Sequence, residues 1–293
     1  MLSETTRKRL KESHAKRILL QFPEGLKTRC QAIADELTKE GYEVLIACEP
    51  NFGACDLRDQ DALDLGCDVL LHIGHTAFGV QEKLPVIYEP YYIDKKLSLE
   101  KHLDALKPYR TIGLTSSVQF VAALEPAAVF LEQHGKTVTV LEPMLGCRPP
   151  KTAVDCYVFI GSGMFHPLGL AKAVDQPVFF LDVERNTLED LTPQKTKQEK
   201  IRWASIAKAQ DATNFGILVT TKPGQRSARA FAIKKELEAK EKKAWVLVFD
   251  QATPDKIAGL KLDALVNTMC PRLNEDTALF KKPILNPDDI DKL

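Results

Sequence analysis

The sequence predicts an α/β protein of three similar small domains, each a parallel sheet flanked by helices, set around a pseudo-threefold centre. Three observations predict it. Short apolar runs alternate with stretches of helical periodicity, the pattern of βαβ units. The alternation restarts at Thr111 and again at Phe215, a period of about 100 residues that is too long for a solenoid and suits repeated domains. One frame also recurs: an Asp, an apolar strand, and a polar residue where the strand ends. Asp68 leads VLLHIGH to His75, Asp155 leads CYVFIGS to Ser162, and Asp263 leads ALVNTMC to Cys270. Repeats bring equivalent strand ends toward a common axis, so Cys270 is expected to face a centre that the other repeats share. The predicted domains are 1–107, 108–209 with a bridging helix, and 210–293.

In the first domain, residues 17–22 (RILLQF) read as a buried strand and Pro23-Glu24-Gly25 as a turn. Leu26, Cys30, Ile33, Ala34 and Leu37 fall at helical spacing, and Gly41 ends that helix. Residues 43–47, 69–73 and 85–89 read as the next strands. In the second domain, residues 111–114 form the opening strand. Thr115-Ser116-Ser117 supply N-cap chemistry for a helix reaching about His134, where Gly135 stops it. Strands follow at 137–141, 156–160 and 178–181. Thr192-Pro193 start an amphipathic bridging helix. In the third domain a strand at 215–220 precedes Lys222-Pro223-Gly224, which takes the place of Pro23-Glu24-Gly25. A helix over 225–240 and strands at 244–249, 264–268 and 283–285 complete it.

The 293 residues suffice for two or three α/β units with real cores. Lys+Arg and Asp+Glu are each 40, and this zero balance argues against bulk binding to nucleic acid or a membrane surface. No apolar run approaches the roughly 20 residues of a membrane span. The N-terminus, MLSETTRKRLKESHAKR, lacks the apolar core of a signal peptide, so a cytoplasmic protein is expected.

Seven cysteines carry the chemical signal. Glu49-Pro50 and Glu142-Pro143 each follow the second strand of their domain. Cys55 stands five residues after Pro50 and Cys147 four after Pro143, both beside glycines. The third domain has only Cys270, at the end of its third strand. Each domain therefore places one cysteine on a loop at the carboxyl ends of its strands, where α/β folds build their sites. Cys30, Cys48, Cys67 and Cys156 read instead as small buried hydrophobes. Three thiolates from three loops suit an iron–sulfur cluster with one iron left open. Structural zinc prefers four ligands, often in close pairs, and a nucleophile needs only one thiol. On spacing alone, free thiols remain an equal description.

LQFPEGLK, NFGACDL, VLLHIGH, LGCRPP and NTMCPRL, in that order, resemble the family of archaeal 2-(3-amino-3-carboxypropyl)histidine synthases, the first enzymes of diphthamide biosynthesis. The resemblance covers about residues 17–273. It implies a [4Fe–4S] cluster on Cys55, Cys147 and Cys270, outside the common radical enzymes that carry CxxxCxxC on one loop. It implies S-adenosylmethionine as donor of the amino-carboxypropyl group, by radical cleavage of its Cγ–S bond with release of methylthioadenosine. It also implies a histidine of translation elongation factor 2 as acceptor, a homodimer, and an external electron donor. Many family members read GxCC or GACCVDD where this chain has GACDLRD, which leaves Cys55 as the single ligand candidate there.

Arg148 and Arg272 directly follow two of these cysteines and could hold a carboxylate bidentately; a plain salt bridge is the alternative. Gly25 and Gly224 belong to turns read as opening helices, whose N-termini favour anions; simple turn chemistry explains them equally. His75 occupies the strand-end position of Cys270 and is a cofactor-binding candidate, and His166 in SGMFHPLG is a comparable one. Neither a dinucleotide fingerprint nor a P-loop occurs, and no general base stands out. A quinolinate-synthase-like dehydratase, a non-catalytic iron–sulfur partner subunit and a metal-free small-molecule binder are the competing readings. Assay of a small dicarboxylate-derived substrate against a protein acceptor separates the first, loss of a ligand the second, and a colourless anaerobic preparation the third.

Overall fold

The computed structural model describes residues 2–95 and 97–293. The first sheet holds β1 (Arg17–Gln21), β2 (Glu43–Ile46), β3 (Val69–Ile73) and β4 (Val86–Glu89). Its order is β2-β1-β3-β4, and every pair is parallel. The second sheet holds β5 (Thr111–Ser116), β6 (Thr137–Val140), β7 (Cys156–Gly161), β8 (Val178–Asp182) and β9 (Thr187–Asp190). Its order is β6-β5-β7-β8-β9, with only β9 antiparallel. The third holds β10 (Asn214–Thr220), β11 (Lys243–Phe249), β12 (Ala264–Asn267) and β13 (Ile284–Leu285), in the order β11-β10-β12-β13. All three sheets thus run second, first, third, fourth. In such a sheet the chain reverses direction between the first and third strands, and ligands bind beyond their carboxyl ends. The chain divides into two compact units, Met1–Ile93 with Lys222–Gly224, and Asp94–Thr221 with Gln225–Leu293.

Central strands are apolar because helices cover both faces. Every residue of β3, β7 and β12 is buried. The helix Cys30–Lys39 buries Ile33, Ala34 and Leu37 against Ile18, Leu20 and Leu71. The helix Ala230–Ala239 does the same in the third repeat, packing Ile233 and Leu237 with Phe215, Ile217 and Val266.

The recurring Asp has a job in each sheet. Asp68 Oδ2 accepts from the backbone N–H groups of Lys16 (2.7 Å) and Arg17 (2.8 Å). Asp155 Oδ2 accepts from Arg110 (2.8 Å) and Thr111 (2.7 Å). Asp263 Oδ2 accepts from Thr213 (3.1 Å) and Asn214 (2.8 Å). The residue before each third strand therefore clasps the start of the first strand and sets the register between them. These backbone bonds hold all three carboxyls below the ordinary aspartate range. A depressed folded pKa contributes stability above the unfolded value and loses it as pH falls through the folded one. Asp68→Asn, Asp155→Asn and Asp263→Asn should each melt earlier than wild type near neutral pH. The gap should close as pH drops below about 4. Thermal melts across that range check it, and a pH-independent gap would rule out an ionic clasp.

Several expected boundaries move. The strand predicted to end at Leu114 continues to Ser116, so Thr115 and Ser116 are strand residues rather than caps. Ser117 precedes a 3₁₀ segment, Val118–Ala123, and makes no side-chain cap bond. The first turns of the first and third repeats are also 3₁₀, Glu24–Arg29 and Pro223–Gln225. Gly25 and Gly224 consequently stand in 3₁₀ turns rather than at the starts of α-helices. A helix Glu4–Glu12, capped by Ser3, and strand β9 were not expected from the sequence. Cys67 and Cys156 are buried at the strand starts, and burial pushes the Cys156 thiol up to about 12. Cys30 packs partly buried on the first core, whereas Cys48 is exposed and does not fill a core. Among the described residues no helix is long and apolar enough to cross a membrane.

Candidate functional site

Cys55 sits on a loop that folds around one buried side chain. Asn51 Nδ2 donates to the carbonyls of Gly53 (3.2 Å) and Asp56 (2.8 Å), and Asp56 N donates to Gly53 O (3.0 Å). Gln21, at the end of β1, donates from Nε2 to the same Asp56 carbonyl (2.7 Å). Its Oε1 is left to accept from His72 Nδ1 (2.9 Å), which places that ring's proton on Nδ1. His72 Nε2 then accepts from His75 Nδ1 at 3.0 Å. Burial, with His75 adding to it, drives the His72 pKa down to about 3, so the His72 ring is neutral. His75 is thus oriented from beneath by a chain that begins at the Cys55 loop. Gly74 between them has φ +96°, and a Cβ there would lie 2.9 Å from Pro23 Cγ. The Pro23 turn is therefore packed onto the strand end beside the relay.

Gly224 also belongs here. Its N–H donates to Cys55 O at 2.8 Å, and a Cβ on it would fall 2.6 Å from Cys55 Cα. Lys222 Nζ meets Asp56 Oδ2 at 2.5 Å, with both side chains buried. Gly25, by contrast, has nothing within 4 Å of where a Cβ would stand.

In the second unit, Cys147 lies in a loop anchored by Met144 N to Ser116 O (2.8 Å) and by Gly146 N to His166 Nδ1 (3.0 Å). His166 therefore accepts on Nδ1, and burial followed by the charge of Arg272 lowers its pKa to about 4. Gly146 is obligatory, since a Cβ would stand 2.7 Å from Phe165 O. Gly169 is also packed on the Gly146 backbone, where a Cβ on it would lie 2.6 Å from Gly146 Cα. The Cys147 residue is exposed, but its surroundings desolvate the thiol and push its pKa up, opposed by its own N–H and by Arg148. Arg148 is exposed, its N–H bonded to Leu145 O at 2.8 Å.

Cys270 precedes the 3₁₀ segment Pro271–Asp276 and is half-buried. Asn267, the last residue of β12, donates to Cys270 O (2.9 Å) and accepts from Met269 N (2.9 Å), which shapes the turn. The Arg272 guanidinium stands 5.7 Å from the Phe165 ring centroid. Phe165 and His166 therefore join the Cys147 loop to the arginine after Cys270. A cleft of about 400 Å³ opens beside them, lined by Cys147, Phe165, Lys172, Pro271, Asn274 and Asn286 among others.

Among the described residues, no three His, Cys, Asp or Glu side chains already stand together as a metal site. The donor chemistry nevertheless fits a cluster. Cys55, Cys147 and Cys270 lie on strand-end loops outside any disulfide, and thiolates are the ligands iron–sulfur clusters use. Sequence reasoning missed Gln21, Asp56, His72, Phe165 and Lys222. Of these, only the Gly-flanked SGMFHPLG carried a usable signal.

Residues 22–292 match the model of the Diphthamide_syn family, described as "Putative diphthamide synthesis protein". The chain is 34% identical to the 2-(3-amino-3-carboxypropyl)histidine synthase of Pyrococcus horikoshii, over 98% of this chain and 88% of that protein. It is similar to the crystal structure of Dph2 from Pyrococcus horikoshii with TM-score 0.93 and 33% identity, covering 100% of this chain and 91% of that one. It matches the crystal structure of that protein with a 4Fe-4S cluster at TM-score 0.92 and 32% identity, with the same coverage. With the family model matching residues 22–292 and a synthase 34% identical over 98% of the chain, the chain belongs to the diphthamide synthesis protein family.

Proposed function

We propose that this protein is a [4Fe–4S]-dependent 3-amino-3-carboxypropyltransferase. It moves that group from S-adenosylmethionine to a histidine of translation elongation factor 2, the first step of diphthamide biosynthesis. The observation that carries the reading is the 34% identity over 98% of the chain to a synthase of that name. The 4Fe-4S cluster in the similar crystal structure supports the cofactor. Cys55, Cys147 and Cys270 would supply the thiolates. When bound, such a cluster supplies an electron for cleavage of the sulfonium Cγ–S bond and an iron position left open by the three cysteines.

The chain's own residues then orient and shield. Arg272, steadied over Phe165, offers a planar fork for the methionyl carboxylate, with Arg148 as a second cation on the neighbouring loop. Holding that carboxylate presents the methionyl carbon rather than the ribose, and positioning at that scale governs which bond reacts. The neutral His166 and His72 rings hold their loops without adding charge. A homodimer, an external electron donor and a cytoplasmic setting belong to the same proposal.

Anaerobic reconstitution with iron and sulfide, followed by S-adenosylmethionine, dithionite and elongation factor 2, tests it. Methylthioadenosine should form, and the factor should gain the mass of one amino-carboxypropyl group. Mainly 5′-deoxyadenosine, with no mass gain, would overturn the reading.

A further inference from the structure

Lys222-Pro223-Gly224 follows β10, the first strand of the third repeat, yet it belongs to the first compact unit. Two bonds tie it to consecutive residues of the Cys55 loop. Lys222 Nζ reaches Asp56 Oδ2 at 2.5 Å, and Gly224 N reaches Cys55 O at 2.8 Å. The side chains of Lys222 and Asp56 are 8% and 1% exposed, so neither charge is left to water. The Gly224 contact is with backbone: a Cβ would lie 2.6 Å from both Cys55 Cα and Cys55 Cβ and 2.8 Å from Phe78 Cδ1. Any larger residue must displace the loop itself.

We infer that Lys222 and Gly224 are positioning residues for Cys55, a clasp that holds its loop in the ligating pose before a cluster arrives. The inference rests on the reading of Cys55 as a cluster ligand. Gln21 and Asn51 already hold the Asp56 carbonyl, and the clasp adds holds on the Asp56 carboxylate and the Cys55 carbonyl. The first sheet has no need of it, since the equivalent turn of its own repeat packs Pro23 onto Gly74. A buried ion pair is weak evidence for stability, because two apolar residues would pack as well. It does specify one geometry, and losing one partner strands the other charge.

The test uses the full chain, first free of iron and then reconstituted. In the iron-free protein, amide hydrogen exchange of the peptide spanning residues 51–57 should quicken by about tenfold or more in Lys222→Met. Peptides of β7 should exchange at the wild-type rate. Lys222→Met/Asp56→Asn, which removes both charges, should recover part of the protection. Gly224→Ala should loosen the same peptide with no such rescue. In reconstituted protein, a chelator should remove iron faster from Lys222→Met than from wild type. Unchanged exchange in residues 51–57, or exchange raised equally throughout the chain, would overturn the clasp. So would a loosened loop that releases iron at the wild-type rate. Failure of wild type itself to take up iron would instead overturn the ligand reading, while the exchange experiment would still report on the clasp.

Discussion

Cys270→Ala should leave the protein folded but strip it of most iron and of its visible absorbance after anaerobic reconstitution. Cys55→Ala and Cys147→Ala should do the same. Each of these thiols sits on a different strand-end loop, so neighbouring cysteines cannot substitute for it. Removing one of three covalent ligands leaves two, and a cluster with two protein anchors is lost to solvent thiols and chelators. Cys30→Ala and Cys67→Ala are the controls. Cys30 is a partly buried helix residue and Cys67 a buried residue before β3. Their loss should cost on the order of 1 kcal/mol of packing and no iron. Iron, sulfide and absorbance measured on all five variants decide the matter. Full iron content in Cys270→Ala would end the three-ligand reading.

Arg202→Met should destabilise the second unit by about 2 kcal/mol near neutral pH, less than for a fully buried pair because the arginine is 43% exposed and Lys292 remains beside Asp289. Asp289 has a side chain with no exposed surface and depends on this arginine. Arg202 donates to Asp289 Oδ1 from Nε at 2.9 Å and from a terminal nitrogen at 2.6 Å. Lys292 (3.1 Å) and Asn286 N (3.0 Å) complete the shell. Burial alone would raise the Asp289 pKa, and the Arg202 bond followed by those from Asn286 and Lys292 brings it below the ordinary value. Because the folded pKa is lowered, this stabilisation is present above the unfolded carboxylate value. It is lost as pH falls through the folded one. The penalty of Arg202→Met should therefore shrink with acidification, once Asp289 is protonated and no longer strands a charge. Denaturant titrations at several pH values check this. A penalty that did not change with pH would show that packing of the arginine stem, rather than its charge, holds the site.

The repeat was legible because its signals are periodic. Central strands such as β7 read as unbroken apolar runs, and Asp68, Asp155 and Asp263 marked the same place three times. The frame also exposed the three cysteine loops, since Cys55, Cys147 and Cys270 each follow a strand end. Elements without an apolar stripe were not legible. The helix Glu4–Glu12 buries only Thr6 and Leu10, and β9 is the polar tetrapeptide TLED. The 3₁₀ turns at Glu24–Arg29 and Val118–Ala123 carry ordinary helical composition, and only hydrogen bonding distinguishes them. The site's supporting contacts were least legible. Gly146 and Gly169 are small because two backbones meet there, and His72 reads as one more residue of a buried strand. No local pattern announces a long-range pairing of single residues.

The pairing of Lys222 with Asp56 spans 166 residues of chain, which gives the protein an order of events during synthesis. At 5–20 residues per second the ribosome delivers the lysine about 10–30 s after the aspartate. Through that interval the nascent first sheet has its Asn51 and Gln21 contacts but not the Lys222–Asp56 bond. The loop bearing Cys55 gains its contacts with Lys222 and Gly224 only when the third repeat begins to emerge. Cys55 therefore acquires the clasp late in synthesis, after about three-quarters of the 293 residues have been joined.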